Sequence, residues 1–305
     1  MPQHSIPDGR NLPQPSSKTN SPAVPETALA VRRQIRESLG LVVQEETRPT
    51  VPMEAHLCEY PIWAYRKQST AVTSLYIGYE DGSFVEIDAP KGFPSVTSPG
   101  YLDVLLYYGQ RDLFRESYVE MSAYSILKHL GLDPRVGGNR ERFIRDMERH
   151  FALRIKTDRF LNPATGTRTH VAYFRVLNSM ELAKRQEGVS RFYFNELFLR
   201  SLRSGYLRRL DMDFCLHLDK AVEPLARFLY SHIVKRLGEK SLYSRTLPGF
   251  LTDVGLGHVA KMKPKRRNEA MKQTVYPALE LLRGQAFSQY ELDGNGIFRF
   301  LPKGE

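Results

Sequence analysis

Two glycines 124 positions apart, Gly131 and Gly255, each end a short apolar segment of the same design. The first segment reads Ile126-Leu127-Lys128-His129-Leu130-Gly131-Leu132 and is followed by Asn139-Arg140-Glu141-Arg142. The second reads Phe250-Leu251-Thr252-Asp253-Val254-Gly255-Leu256 and is followed by Lys265-Arg266-Arg267-Asn268-Glu269. Each unit predicts a short helix stopping at glycine, a linker, a basic helix and a closing two-stranded hairpin. That order is the layout of a winged helix-turn-helix, and two copies in one chain point to a long DNA site read by two modules.

Length and charge agree with this reading. The 305 residues leave room for two ordinary domains and a tail. The formal charge is +10, yet residues 1–50 carry six Lys and Arg against five Asp and Glu, so the excess sits in the part that folds. A basic folded surface favours a polyanionic partner, nucleic acid first. Cys58 and Cys215 are the only cysteines, which argues against a disulfide framework or a cysteine zinc site. No apolar run approaches the ~18–20 residues of a membrane span, and the N-terminus lacks a signal-peptide pattern. The expected location is the cytoplasm, with no membrane partner.

The expected fold class is α+β: two tandem winged helix-turn-helix domains behind a disordered N-terminal tail. The tail spans 1–59, the first domain 60–185 and the second 186–305. All sixteen Phe, all sixteen Tyr and the single Trp lie beyond residue 59, whereas eight of the 19 prolines lie before it. Residues 1–25 are expected to be disordered, with one amphipathic helix over Glu26–Leu41. Order is expected from Tyr60, with a strand at Tyr60–Tyr65 and a hairpin joining Leu75–Tyr79 to Phe84–Ile87. Ser98-Pro99, Ser122 and Asn195 are placed to start helices, and Asp219 to cap a later one. The first basic helix, from Asn139, has Phe143, Ile144, Met147 and Phe151 as its apolar stripe. Leu153–Lys156 and His170–Val176 are read as the first wing, residues 183–190 as the join, and Arg191–Phe194 as the strand opening the second domain. Pro277 should kink the second basic helix or split it near Tyr276. Ser288–Leu292 and Ile297–Phe300 close the chain as a hairpin.

The DNA-binding candidates come from this layout. Lys261, Lys263, Lys265, Arg266, Arg267 and Lys272 face one acid, Glu269, over twelve residues. At a helix start such residues reach phosphates, and Arg266 and Arg267 suit bidentate contact with guanine edges. In the first basic helix Arg140, Arg142 and Arg145 are candidates; Glu141, Asp146 and Glu148 compete for the arginines along the helix. Arg154, Lys156, Arg168 and Arg299 are the wing candidates for backbone or minor-groove contact.

Catalytic signals are poor. There is no Gly-x-x-x-x-Gly-Lys-Ser/Thr loop, and Gly255-Leu256-Gly257 lacks the rest of a dinucleotide fingerprint. The histidines show no ligand spacing, so neither metal nor cofactor is expected. Asp211 and Asp213 have the form of a two-carboxylate metal site of a primase or nuclease, but they stand where acids cap helices.

Several stretches resemble plasmid replication initiators of the Rep type, which are tandem winged-helix proteins binding repeated origin sequences called iterons. The resemblance covers roughly Tyr60 to Leu301. It is carried by Ser122–Gly131, Arg140–Leu153, Asn195-Glu196-Leu197, Gly205–Asp211 and Pro224–Tyr230. It implies a non-enzymatic protein whose main base readout lies at Lys263–Lys272, with backbone contacts from the first module. It also implies origin melting, recruitment of the host initiator and replicative helicase, and a homodimer that represses its own promoter. A winged-helix transcriptional regulator is the alternative, and a metal-dependent nucleic-acid enzyme such as a primase a third reading.

Overall fold

The computed structural model describes residues 49–62, 73–111, 114–162, 166–168, 171–185, 187–220 and 223–303. The tail readings over 1–25 and Glu26–Leu41 lie outside these residues. The chain begins with β1 (Thr50–Glu54), the hairpin β2 (Ser74–Gly78) and β3 (Phe84–Asp88), and helix α1 (Pro99–Arg111). Strand β4 (Tyr118–Ser122), α2 (Ala123–His129) and α3 (Gly137–Ala152) come after it. Next are β5 (Arg154–Thr157), β6 (Leu161–Asn162), β7 (Thr167–Arg168), β8 (Ala172–Phe174), β9 (Leu177–Glu181) and β10 (Val189–Phe194). Then α4 (Glu196–Arg203), β11 (Leu207–Asp211), α5 (Met212–Lys220) and α6 (Pro224–Glu239) lead to the second unit. That unit continues with β12 (Tyr243–Thr246), α7 (Leu247–Asp253), α8 (Gly257–Ala260) and α9 (Pro264–Ala270). A π-helical turn (Met271–Val275), α10 (Tyr276–Leu282), β13 (Gln289–Leu292) and β14 (Ile297–Leu301) complete it.

The fold is α+β, and the repeat holds down to single hydrogen bonds. Ser122 caps α2 by accepting from the Ser125 amide, and Thr246 caps α7 by accepting from the Gly249 amide. Gly131 and Gly255 both adopt left-handed backbone, at φ 70° and 73°. Each turns the chain so that the next residue donates back into the helix: Leu132 to the Leu127 carbonyl (2.9 Å), Leu256 to the Leu251 carbonyl (2.7 Å). Only glycine takes this backbone without cost from its side chain.

Each repeat also builds the same small sheet. Its first strand pairs with its third, and the third with its second: β4-β10-β9 and β12-β14-β13. Each unit has a long helix before the first strand and, after it, a short glycine-ended helix and then a basic one, with the four-residue α8 between them in the second unit; this is the order expected of a winged helix. Phe192 and Phe194 in β10 match Phe298 and Phe300 in β14, all four buried, each pair turned toward its own helices. Phe143 of α3 meets Tyr101 edge-on at 5.1 Å and Phe192 at 6.3 Å, while Phe250 of α7 sits 5.0 Å from Phe298.

The structure corrects four expectations about organisation. First, Arg191–Phe194 does not open a second domain, because β10 is the central strand of the first unit's sheet, paired with both β4 and β9. Within the expected join, residues 183–185 and 187–188 accordingly lie at the tip of the β9–β10 hairpin, and Val189 and Ser190 already belong to β10. Second, β5 and β8 are not that wing. They belong to a four-stranded antiparallel sheet, β2-β3-β5-β8, in which β5 and β8, inserted between α3 and β9, pair onto the earlier hairpin β2-β3. Alternation identifies Leu153–Lys156 as a strand but carries no information about its partner.

Third, order begins before Tyr60: β1 pairs with β11 over Thr50–Glu54. Val51, Met53, Leu57 and Cys58 are buried, so aliphatic and sulfur side chains fill a core that an aromatic count overlooks. Residues 60–62 run as bend and irregular backbone, and the remainder of the strand expected there lies outside the described residues. Fourth, Asp219 does not cap α6. It is buried within α5, and α6 starts at Pro224 after Glu223.

The N-terminal segment is locked to α6 by charge. Glu59 accepts from Lys235 Nζ (2.8 Å) and Arg236 Nη2 (2.7 Å), with Glu59 and Lys235 both buried. Burial raises the Glu59 carboxyl, but the two cations outweigh it and hold it at about 2 against an ordinary 4.5. Folded-state depression means this stability is complete above the unfolded value and lost as pH falls toward the folded one. Denaturant unfolding at pH 6 and pH 2.5 should show a loss that includes about 3 kcal/mol from this carboxyl. Glu59→Gln should remove that share of the slope, leaving the part due to buried histidines; an unchanged slope contradicts the assignment.

Candidate nucleic-acid interface

Helix α9 has no buried residue at all. Pro264 fits its first turn because the missing N–H would have had no partner there. Around it Lys261, Lys263, Lys265, Arg266 and Lys272 are exposed and Arg267 is half-buried. Among the described residues none of these six makes an ion pair with a carboxylate. Elsewhere on the surface a number of arginines are held by acids, among them Arg159, Arg191, Arg203 and Arg283. Unpaired cations on a protruding helix retain their full attraction for phosphate.

The helix does not continue in this exposed phase. Met271, Val275, Ala278, Leu279 and Leu282 are buried, so its second half packs into the core. The π turn makes the change. Tyr276 N–H donates to the Met271 carbonyl, five residues back, just before Pro277, which has no N–H to give and whose ring crowds the preceding turn. Thr274 Oγ1 caps the loosened Ala270 carbonyl at 2.7 Å. One extra residue in the turn rotates the next stretch of helix by roughly 100°. The kink expected at Pro277 is thus a widened turn that separates an exposed basic half from a core-facing half.

In the first unit α3 buries Phe143, Asp146, Met147 and His150; Ile144 and Phe151 are only half-buried. Asp146 is therefore a core residue, accepting from the Ser95 amide (3.2 Å), Ser95 Oγ (2.5 Å) and Arg149 (3.3 Å). His150 bonds Ser98 Oγ at 2.9 Å, and burial lowers its pKa to about 4, so it packs as a neutral ring. Arg142 and Arg145 are exposed and unpaired among the described residues. Arg140 is instead used inside the protein: its Nη2 donates to the Lys184 carbonyl at 3.0 Å, tying the start of α3 to the wing tip.

The two wings differ in charge. The first carries exposed Lys184 and Arg185, basic residues that a reading of their segment as a join overlooks; the strand-turn-strand signal is Leu177–Glu181, Glu187-Gly188 and Val189–Phe194. In the second wing, Arg299 is held by Glu291 (3.0 Å) and Asp293 (2.9 Å), and Asp293 also accepts two turn amides. The charge of Arg299 is neutralised there. Arg154 and Lys156 lie on the four-stranded sheet, with Lys156 bound to Glu86 at 3.1 Å, and Arg168 is exposed on the separate β6–β7 hairpin. None of the three belongs to a wing. Asp211 Oδ1 caps α5 by accepting from the Phe214 amide at 2.9 Å, and no metal-binding carboxylate, histidine or cysteine cluster occurs among the described residues. No helix among them is long and apolar enough to cross a membrane.

Among solved structures, the chain is similar to the crystal structure of domains 2 and 3 of RctB, with a TM-score of 0.50 and 11% identity. That similarity covers 82% of this chain and all of the other, and it is a likeness of fold. A second crystal structure of RctB domains 2–3 aligns at a TM-score of 0.42 and 11% identity over 76% of this chain and 92% of the other. No protein-family model matches the sequence, and no curated protein does.

The Arg140–Lys184 bond is open to a direct check by hydrogen exchange. Arg140→Ala should speed amide exchange across residues 182–190 while leaving α2 and the body of α3 unchanged. Unaltered exchange at the wing tip would mean the bond does not brace it.

Proposed function

We propose that this chain is a replication initiator that binds repeated origin DNA sequence-specifically through both winged-helix units. The observation that carries the reading is α9: a helix without a single buried residue, bearing Lys263, Lys265, Arg266 and Arg267 without acidic partners. A major groove accepts a helix of this kind, and arginine pairs bidentately with guanine there. The first unit adds Arg142, Arg145, Lys184 and Arg185 on a helix and wing with the same connectivity. Arg140 acts by positioning that wing, and Lys261 and Lys272 add phosphate contacts. The repeated-site character comes from the resemblance to Rep-type initiators, and the fold shared with domains 2 and 3 of RctB is consistent with it. Recruitment of a host initiator and helicase, and self-association as a homodimer, belong to the same reading.

The test is site selection from random duplex DNA, followed by binding measurements on the selected site over a salt series. Arg266→Ala and Arg267→Ala should each cost about 1–3 kcal/mol on the selected site and relax preference at single base positions. Lys265→Ala should weaken binding to all sequences alike and flatten the salt slope by about one phosphate contact. Selection that yields no common sequence would overturn the proposal.

A further inference from the structure

The sheet β2-β3-β5-β8 covers the core with one face only. Ile77, Val85, Ile87, Ile155 and Phe174 point inward and are buried. On the outer face a single cross-strand row reads Tyr76, Glu86, Lys156, Tyr173, one residue from each strand. Tyr76 and Tyr173, 67% and 71% exposed, are the most exposed large hydrophobic side chains among the described residues. With neighbouring strands ~4.8 Å apart, the two rings stand about 14 Å from each other at the two edges of the sheet.

Both rings are held in place although solvent reaches them. Tyr76 lies flat on Phe84 (centroids 6.0 Å, planes 13° apart) and leans over Gly78, where a Cβ would stand 3.3 Å from the ring. Lys156 Nζ sits 5.6 Å from the Phe84 ring and 5.8 Å from the Tyr173 ring. Beside Tyr173 opens a cavity of about 440 Å³, also lined by Arg154, Lys156, Arg175, Asn178 and Asn195. Glu86 and Asp88 share the face, the first bound to Lys156 and the second opposite Arg154 in register, so the cations remain in excess.

We propose that this face binds single-stranded nucleic acid. Tyr76 with Phe84 forms one stacking platform and Tyr173 the other, while Lys156, Arg154 and Arg175 carry the backbone between them and into the groove. Fixed aromatic rings alternating with cations suit a flexible polyanion with flat bases, and stacking needs no particular base. An apolar protein partner finds little here, since the rings are separated by charged residues. Tyr76 and Tyr173 lie on neither basic helix and on neither wing, so the proposal goes beyond duplex recognition and these two rings can be changed without altering a residue assigned to that interface.

The experiment uses the full chain and a fluorescein-labelled oligo-dT of about 16 nucleotides, with the selected duplex as a parallel arm. The wild-type chain should bind oligo-dT, Tyr76→Ala with Tyr173→Ala should weaken it about tenfold or more, and the matching Phe pair should restore it. Duplex affinity should stay the same in all of them, whereas Arg266→Ala with Arg267→Ala should reduce duplex binding and spare oligo-dT. Ultraviolet crosslinking of 4-thiothymidine oligo-dT to the wild-type chain should place the adducts in the peptides of Tyr76 and Tyr173, a readout independent of any variant's folding. Absence of oligo-dT binding, equal binding by the Ala pair, or adducts elsewhere would each overturn the proposal. Loss of a dimer in the Ala pair without loss of oligo-dT binding would also overturn it and assign the face to a second copy.

Discussion

A buried guanidinium joins the two repeated units. Arg227, in the first turn of α6, reaches Asp103 in α1 at 2.6 Å and approaches Asp219 in α5 at 3.8 Å, all three out of solvent. The opening helix of one unit is thereby bonded to the opening helix of the other. Burial raises both carboxyls, Asp219 well above the ordinary carboxylate range, while Arg227 opposes the rise. The nearer carboxyl, Asp103, takes the guanidinium's hydrogen bond, and Asp219 stands at ion-pair distance beyond it. Such a cluster adds little net stability against an apolar replacement, yet losing one partner leaves a buried charge unpaired, which costs about 3–5 kcal/mol. Its consequence is geometric: the two basic helices are carried on helices that share a bond and a continuous core.

On that shared frame the two units expose different basic elements. The second offers its helix: α9 stands clear of the core because the π turn ahead of Pro277 separates the phase of its exposed half from that of its packed half. Its wing is self-neutralised through Arg299. The first offers a helix and a wing together, with Arg140 holding the basic tip at Lys184 and Arg185 against the start of α3. Exposed cations therefore concentrate on the helix in the second unit and on helix and wing together in the first.

The legible part of the chain is local. Capping residues, the two C-terminal glycines, the basic helices and the closing hairpin announce themselves by short-range chemistry, and the structure repeats them hydrogen bond for hydrogen bond. Pairing over distance is not legible. Nothing within Leu153–Lys156 distinguishes a wing from the third strand of another sheet, and Arg191–Phe194 contacts β4, some seventy positions back in sequence. The inserted strands also shift the end of the first unit out of register with the second, which hides the true wing. Three of the candidate cations, Arg154, Lys156 and Arg168, are misplaced for this reason, while the cluster at Lys261–Lys272 reads correctly as an exposed basic surface because its signal lies in one helix. Asp103 and Arg227 give no sign of each other, 124 positions apart, since a buried ion pair looks in sequence like two surface residues.

The central claim is that both units contact one stretch of duplex at once. Hydroxyl-radical footprinting of the full chain on its selected site tests it directly. The account predicts two protected patches on the same face of the duplex, about one helical turn (~10 base pairs) apart. Arg266→Ala with Arg267→Ala should weaken one patch, and Arg142→Ala with Arg145→Ala the other. A single patch, lost only with the second unit's arginines, would contradict it and leave the first unit with a different task.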